Sequence, residues 1–217
     1  MHEPMEPPAQ TKSLIDRLYR HVEALTVDIG PRAPLLGDSL ARAERYIRDV
    51  FEDAGLQVTD LPYDYRGKHV VNLVATTEGA ADASSYYVVG AHYDTVPTTP
   101  GADDNASAVA VLLELARCHA GGKLDIPVHF VAFTMEEPPA FMTRHQGSRV
   151  YVRERKRRGD RIGGAIVLEM VGYTAPRQNY PSVLRWAGYP DHGRFIGIVG
   201  NWRSRRFGEA VIRHMDD

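Results

Sequence analysis

In the stretch GAHYDTVPTTPGADDNASAVAVLLELAR, residues 90–117, His92, Asp94, Asp103 and Asp104 lie between an apolar run and a segment with helical periodicity. An imidazole and several carboxylates converging on one point can hold a divalent cation, which takes neutral nitrogen and anionic oxygen donors. Three more carboxylates sit beside apolar runs: Glu136 and Glu137 directly after FVAFTM, and Glu169 within GAIVLEMVG. Burying such a charge unaided is costly, so a carboxylate in apolar surroundings is ordinarily paired, protonated or metal-bound.

Each residue taken singly has a plainer account. A lone His at a strand end is usually hydrogen-bonded and no more, and Asp103, Asp104 and Asn105 have the chemistry of a helix N-terminus, with Asp104 as its cap. Glu136 and Glu137 could be loop charges ahead of Pro138 and Pro139. A pair of divalent ions accounts for the whole set at once. Two cations about 3.5–4 Å apart share a bridging carboxylate, polarise a carbonyl and lower the pKa of a bridging water. The adjacent Glu136 and Glu137 leave the backbone in different directions, so one can ligate while the other takes a proton. Asp94, two positions beyond His92, is placed to orient the imidazole.

The elements that must position these groups are legible in the apolar pattern. Leu14, Leu18, Val22 and Leu25 recur at helical spacing, and SLARAERYIRDVFEDAG repeats the pattern, with Ser39 as its cap and Gly55 as its stop. Strands are expected at 56–61, 69–75, 86–91, 127–135, 164–170 and 195–199, with helices over 105–119, near 147–158 and in SRRFGEAVIRHMDD. Strands alternating with helices imply an α/β fold, with a mostly parallel sheet covered on both faces and an antiparallel pair formed by the first two strands. In such sheets ligands bind at the carboxyl ends of the strands, which is where His92, the Glu pair and Glu169 fall.

With 217 residues, 43% of them hydrophobic, the chain can bury a substantial core. A Pro-rich tail is expected over 1–12 and one catalytic domain over 13–217. A formal charge of −2 gives no global reason to expect nucleic acid or an anionic membrane as partner, and the basic block RERKRRGDR reads as a solvated helix face. Cys118 is the single cysteine, which excludes an intrachain disulfide and a thiolate zinc site, and its place in an apolar helix suggests a buried, inert thiol. The start, MHEPMEPPAQTK, lacks the features of a signal peptide and no later run approaches membrane-spanning length, so the expected location is cytoplasmic.

These residues closely resemble the co-catalytic zinc aminopeptidases, metallopeptidase family twenty-eight, which also includes glutaminyl cyclases. Besides GAHYDTVP and GADDNASA, the match includes IGPR at 29–32, VVNLVA at 70–75, FVAFTMEEPP with GSRVY following, and LEMVGY at 168–173. The resemblance implies a three-layer α/β/α sandwich of zinc-peptidase type. It implies that His92 and Glu169 ligate one zinc, Glu137 a second, and Asp104 both. Asp94 would steady His92, and Glu136 would be the general base for attack of a metal-bridging hydroxide on the first peptide bond of a peptide substrate.

The chain departs from that pattern in three places. Glu169 stands where many family aminopeptidases carry Asp, and Ala108 where Gly is common. The family's last ligand, a His in an S-D-H context, has no counterpart after Glu169, which implies a domain truncated at its C-terminal end. One zinc or none would then be bound in place of two, unless a homo-oligomer or a complementing segment supplied the group. His192, in YPDHGRF, and His214 are the available substitutes, and neither has the motif's context. Two other functions stay open: a glutaminyl cyclase-like acyltransferase, which by resemblance needs one zinc, and a metal-binding remnant without turnover.

Overall fold

A five-stranded mixed sheet organises the first part of the chain in the computed structural model, which describes residues 9–122, 126–177, 186 and 188–215. Two compact units are present, Met1–Met170 and Val171–Asp217. The first opens with α1 (Ala9–Glu23), which begins inside the tail expected over 1–12, directly after the last proline of that segment. Residues 1–8 of that tail lie outside the described residues. A π-helical turn, Ala24–Ile29, leads to α2 (Ser39–Asp53). Asp38, not Ser39, holds the N-cap position of α2, and the Ser39 hydroxyl instead donates to the Pro31 carbonyl at 2.6 Å. Gly55, at φ +84°, turns the chain out of α2 as expected.

The strands are β1 (Gln57–Tyr65), β2 (Lys68–Thr76), β3 (Ser85–His92), β4 (Val128–Phe133) and β5 (Arg161–Val167), in spatial order β1-β2-β4-β3-β5. β1 and β2 form the antiparallel pair, β2 meets β4 antiparallel, and β3 runs parallel to β4 on one side and β5 on the other. The crossover from β3 to β4 carries α3 (Ala108–Ala120), and the return from β4 across β3 to β5 carries α4 (Gly147–Arg158). Crossovers in opposite directions put their helices on opposite faces if both are right-handed. The side chains bear this out. Phe130 of β4 meets His119 of α3, while the next inward residues on the other face, Val131 and Phe133, pack with Tyr151 of α4 in a cluster with Val74, Tyr86 and Val88. The α/β/α layering is therefore present, and the chain reverses direction at β3, where the carboxyl ends of β3, β4 and β5 lie together.

The second unit holds an isolated antiparallel bridge between Ala175 and Gly193, a 3-10 turn at Trp202–Ser204 and α5 (Arg205–Met215). The strand expected at 195–199 does not form: this segment has no pairing partner among the described residues, and Val199 is 90% exposed. An apolar run supplies a face to bury but no backbone partner, and an unpaired strand has nothing to hold it extended. No helix among the described residues is long and apolar enough to cross a membrane.

Candidate metal centre

His92 is the last residue of β3, held in register by pairing with Phe133 of β4. Glu169 stands two residues beyond the end of β5, where the Leu168 amide still donates to the Gly90 carbonyl at 2.8 Å. Glu136 and Glu137 follow β4 after Met135, whose φ of +58° turns the chain out of the strand. Asp104 belongs to an irregular turn, Ala102–Ser107, in which Asp104 and Asn105 have non-helical backbone angles. α3 begins only at Ala108, and no side chain caps it. The cap expected of Asp104 is therefore absent, because the turn aims its carboxylate at His92 instead.

Three ligand-type groups converge there. His92 Nε2 lies 3.1 Å from Asp104 Oδ1 and 3.4 Å from Glu169 Oε2, with Glu136 Oε2 at 3.9 Å. Among the described residues, His92, Asp104 and Glu169 are the group whose ligand atoms lie close enough together to share one metal ion. Both His92 Nε2 and Asp104 Oδ1 are buried and make no hydrogen bond among the described residues, although they face each other. The other ring nitrogen explains how the imidazole is set. Nδ1 lies 3.2 Å from the Asp94 carbonyl, which can only accept, so Nδ1 carries the proton and the Nε2 lone pair points at the two carboxylates. One neutral nitrogen and two carboxylate oxygens, with two of these atoms buried and unsatisfied, fit a zinc-type divalent cation.

The electrostatics point the same way. Burial opposes charge on His92, yet Asp104, Asp94 and Glu169 together push its pKa up to about 12, which marks the space between these carboxylates as one that favours positive charge. Asp104 is held below the usual carboxylate range, chiefly by its contact with His92. Glu137 is pushed up to about 7, first by burial and then by the Asp104 charge. Burial also raises Glu136, with His92 opposing and Asp94, Glu169 and Asp104 adding to the rise. Glu136 and Glu137 are half-buried. The Asp94 carboxylate lies 3.5 Å from His92 Nδ1, and its two oxygens accept the backbone amides of Glu136 and Glu137, each at 3.0 Å.

Three supporting residues are not expected from the sequence to hold the site: Arg32 and Asn72 have no assigned role, and Asn105 is expected only as part of a helix N-terminus. Arg32, within IGPR, is fully buried, and its guanidinium donates to the carbonyls of Leu25, Gly30, Tyr93, Pro100 and Gly101. Burial lowers its pKa to about 10 against the opposing pull of Asp94 and Asp104. Asn72, within VVNLVA, accepts the Thr134 amide and donates to the Gly147 carbonyl, both at 2.9 Å, and so ties β2 to both ends of the loop that carries the Glu pair. Asn105 bonds the Leu168–Met170 segment. The motifs were visible, but a carbonyl partner distant in sequence leaves no trace in composition or periodicity.

Three further residues weighed in the sequence have local surroundings of their own. Cys118 is exposed, because it falls on the outer side of α3. His192 Nδ1 accepts its own loop's Arg194 amide at 3.3 Å, and His214 Nδ1 lies 2.8 Å from the Ala210 carbonyl one turn back in α5.

Comparison with known proteins gives this arrangement a context. Protein YfbL of Escherichia coli K12, itself uncharacterized, is 40% identical over 197 residues, covering 85% of this chain and 59% of YfbL. Aminopeptidase YwaD of Bacillus subtilis is 41% identical over 69 residues, which cover 32% of this chain and 15% of YwaD. The glutaminyl cyclase of Porphyromonas gingivalis superposes with a TM-score of 0.64 at 26% identity, over 76% of this chain and 61% of that one. The chain thus spans less than two thirds of the length of each of these proteins. The sequence profile of peptidase family M28 matches residues 72–193, a stretch that holds every one of the converging groups and more than half of the chain, and the chain belongs to that family.

Proposed function

We propose that this chain carries the catalytic centre of a zinc-dependent exopeptidase of the aminopeptidase type, acting on the N-terminal bond of a peptide. The observation that carries this reading is the His92 imidazole, fixed by its Nδ1 contact with the Asp94 backbone and presenting an unsatisfied Nε2 to Asp104 and Glu169. In this reading His92, Asp104 and Glu169 hold one zinc ion, and Glu137 joins Asp104 at a second. Zinc bound there would polarise the scissile carbonyl and make water nucleophilic near neutral pH. Glu136, with its pKa raised and its carboxylate 3.9 Å from His92 Nε2, is placed to accept the proton from the attacking water. The same carboxyl group then returns that proton to the leaving amine. Asp94 fixes the backbone of both glutamates, so the base keeps its position through the cycle.

A second reading is a glutaminyl cyclase-like acyl transfer, favoured by the structural likeness to the P. gingivalis enzyme and by the convergence, among the described residues, of one three-ligand group. Zinc-reconstituted protein should be assayed for hydrolysis of aminoacyl 4-nitroanilides and, in parallel, for ammonia release from a peptide with N-terminal glutamine. Release of the terminal residue supports the exopeptidase. Ammonia release without loss of a residue supports the cyclase, and zinc uptake with neither activity identifies a metal-binding protein without turnover.

A further inference from the structure

We infer that Asn105 is a positioning residue for the metal centre, acting through Glu169; the inference rests on the metal site proposed above. Glu169 needs such a partner. Its side chain is 48% exposed, and a glutamate arm has three rotatable bonds where an aspartate has two, so the carboxylate has more conformations to lose before it can meet a cation beside His92. Asn105 is fully buried and spends both ends of its amide on the segment that carries Glu169. Its Nδ2 donates to the Leu168 carbonyl at 3.1 Å and to Glu169 Oε2 at 3.3 Å, while its Oδ1 accepts the Met170 amide at 3.1 Å.

This clamp also answers a backbone problem. Met170 has φ +47°, a left-handed conformation that is unfavourable for a residue other than glycine and persists only when its surroundings impose it. The Asn105 Oδ1 takes the amide that this turn exposes. Asn105 is, moreover, the chain neighbour of Asp104. One dipeptide therefore delivers a carboxylate to His92 from residue 104 and fixes the opposing carboxylate from residue 105. A metal ligand held by a hydrogen bond from outside the coordination sphere typically loses 10–100-fold in metal affinity when that bond is removed.

The test is a double-mutant cycle on Co²⁺ affinity, measured by competition with a chromogenic chelator, with the cobalt absorption spectrum as a second readout. Asn105→Ala is expected to weaken Co²⁺ binding 10–100-fold and to alter the spectrum while Glu169 is present. In a Glu169→Ala background the same change should have no effect on affinity. Should Asn105→Ala fail to fold, Asn105→Ser places an uncharged hydroxyl at the same position without the amide donors and without a new charge beside Glu169, and is carried through the same cycle. An unchanged affinity, or an equal loss with and without Glu169, overturns the inference and leaves Asn105 a purely structural residue. Wild-type protein that takes up no Co²⁺ or Zn²⁺ overturns the metal reading itself, and this inference with it, so the two failures are distinct.

Discussion

Asp94 holds Glu136 by the backbone: its Oδ1 accepts the Glu136 amide at 3.0 Å, while its Oδ2 takes the next amide along the chain. The carboxylate is 1% exposed and lies under the Glu pair, so a single side chain spans from the β3 loop to the β4 loop. Removing it would strand two half-buried N–H groups, at about 1–3 kcal/mol each. Asp94→Ala should therefore lower the urea midpoint with an unchanged slope, by an amount equivalent to several kcal/mol. A change in slope, or a loss below about 1 kcal/mol, would show that the loop is held by other contacts.

Glu136 allows a sharper separation of chemistry from binding. Its carboxylate lies outside the three-residue group that converges on His92, although its oxygen is only 3.9 Å from Nε2. Glu136→Gln should leave zinc stoichiometry unchanged and lower turnover of an aminoacyl substrate by about 10²–10⁴-fold, the usual worth of a general base. Retained turnover would remove the proton-transfer role assigned to it, and loss of zinc would make it a ligand instead.

What could be read in the sequence was whatever repeats at short range. The apolar runs ending in His92, in the Glu pair and just before Glu169 announce strands, and the rule that α/β sheets bind at their carboxyl ends brings those residues together before any coordinates do. Long-range pairing was not legible. FIGIV at 195–199 has the composition of a strand and pairs with no described residue, while Asp104 has the composition of a cap and does not cap α3. Both misreadings share a cause: local propensity states what a segment can do, and the contacts that select among those options lie many residues away. Cys118 adds a third case, since one helical step decides whether a residue in an apolar run faces the sheet or the solvent.

Arg32 is a hydrogen-bonding hub more than a counter-ion. Five carbonyls from the 25–30, 93 and 100–101 segments receive its guanidinium protons, and its own amide donates to Thr95 Oγ1 at 2.8 Å. The close pack around Gly101, where an added Cβ would meet the Asp104 carbonyl, the Thr95 methyl and the Arg32 guanidinium, leaves no room for these segments to adjust. A lysine carries three donors on one nitrogen and cannot reach five acceptors around a plane. Arg32→Lys should therefore cost nearly as much as Arg32→Met, about 3–5 kcal/mol by chemical denaturation, and metal affinity should fall with it. A lysine variant within about 1 kcal/mol of wild type would reduce Arg32 to a generic positive charge.

The other buried histidine of the sheet makes stability depend on pH in a direction that can be worked out. His129 stacks on Tyr86 at 3.6 Å between ring centroids, with Nδ1 3.0 Å from the Tyr151 hydroxyl and Nε2 3.4 Å from the Ala80 carbonyl. That environment suits the neutral ring, with Nε2 donating and Nδ1 accepting. Burial, and then the charge of Arg155, push its pKa down to about 4 from 6.5. Between those values the unfolded chain binds a proton that the folded chain refuses, so stability rises with pH across the window. The contribution is fully present above pH 6.5 and is lost as pH falls toward 4, a total of about 3 kcal/mol. His21, lowered chiefly by burial with Glu114 opposing, adds to the same trend, while Glu137, raised from 4.5 to about 7 chiefly by burial, opposes it, so the effect of His129 must be read by difference. His129→Gln should destabilise the protein at pH 7 through the lost stacking, yet flatten the fall in urea midpoint between pH 6.5 and 4. A variant that loses stability in parallel with wild type through that window would show that the proton is taken up elsewhere.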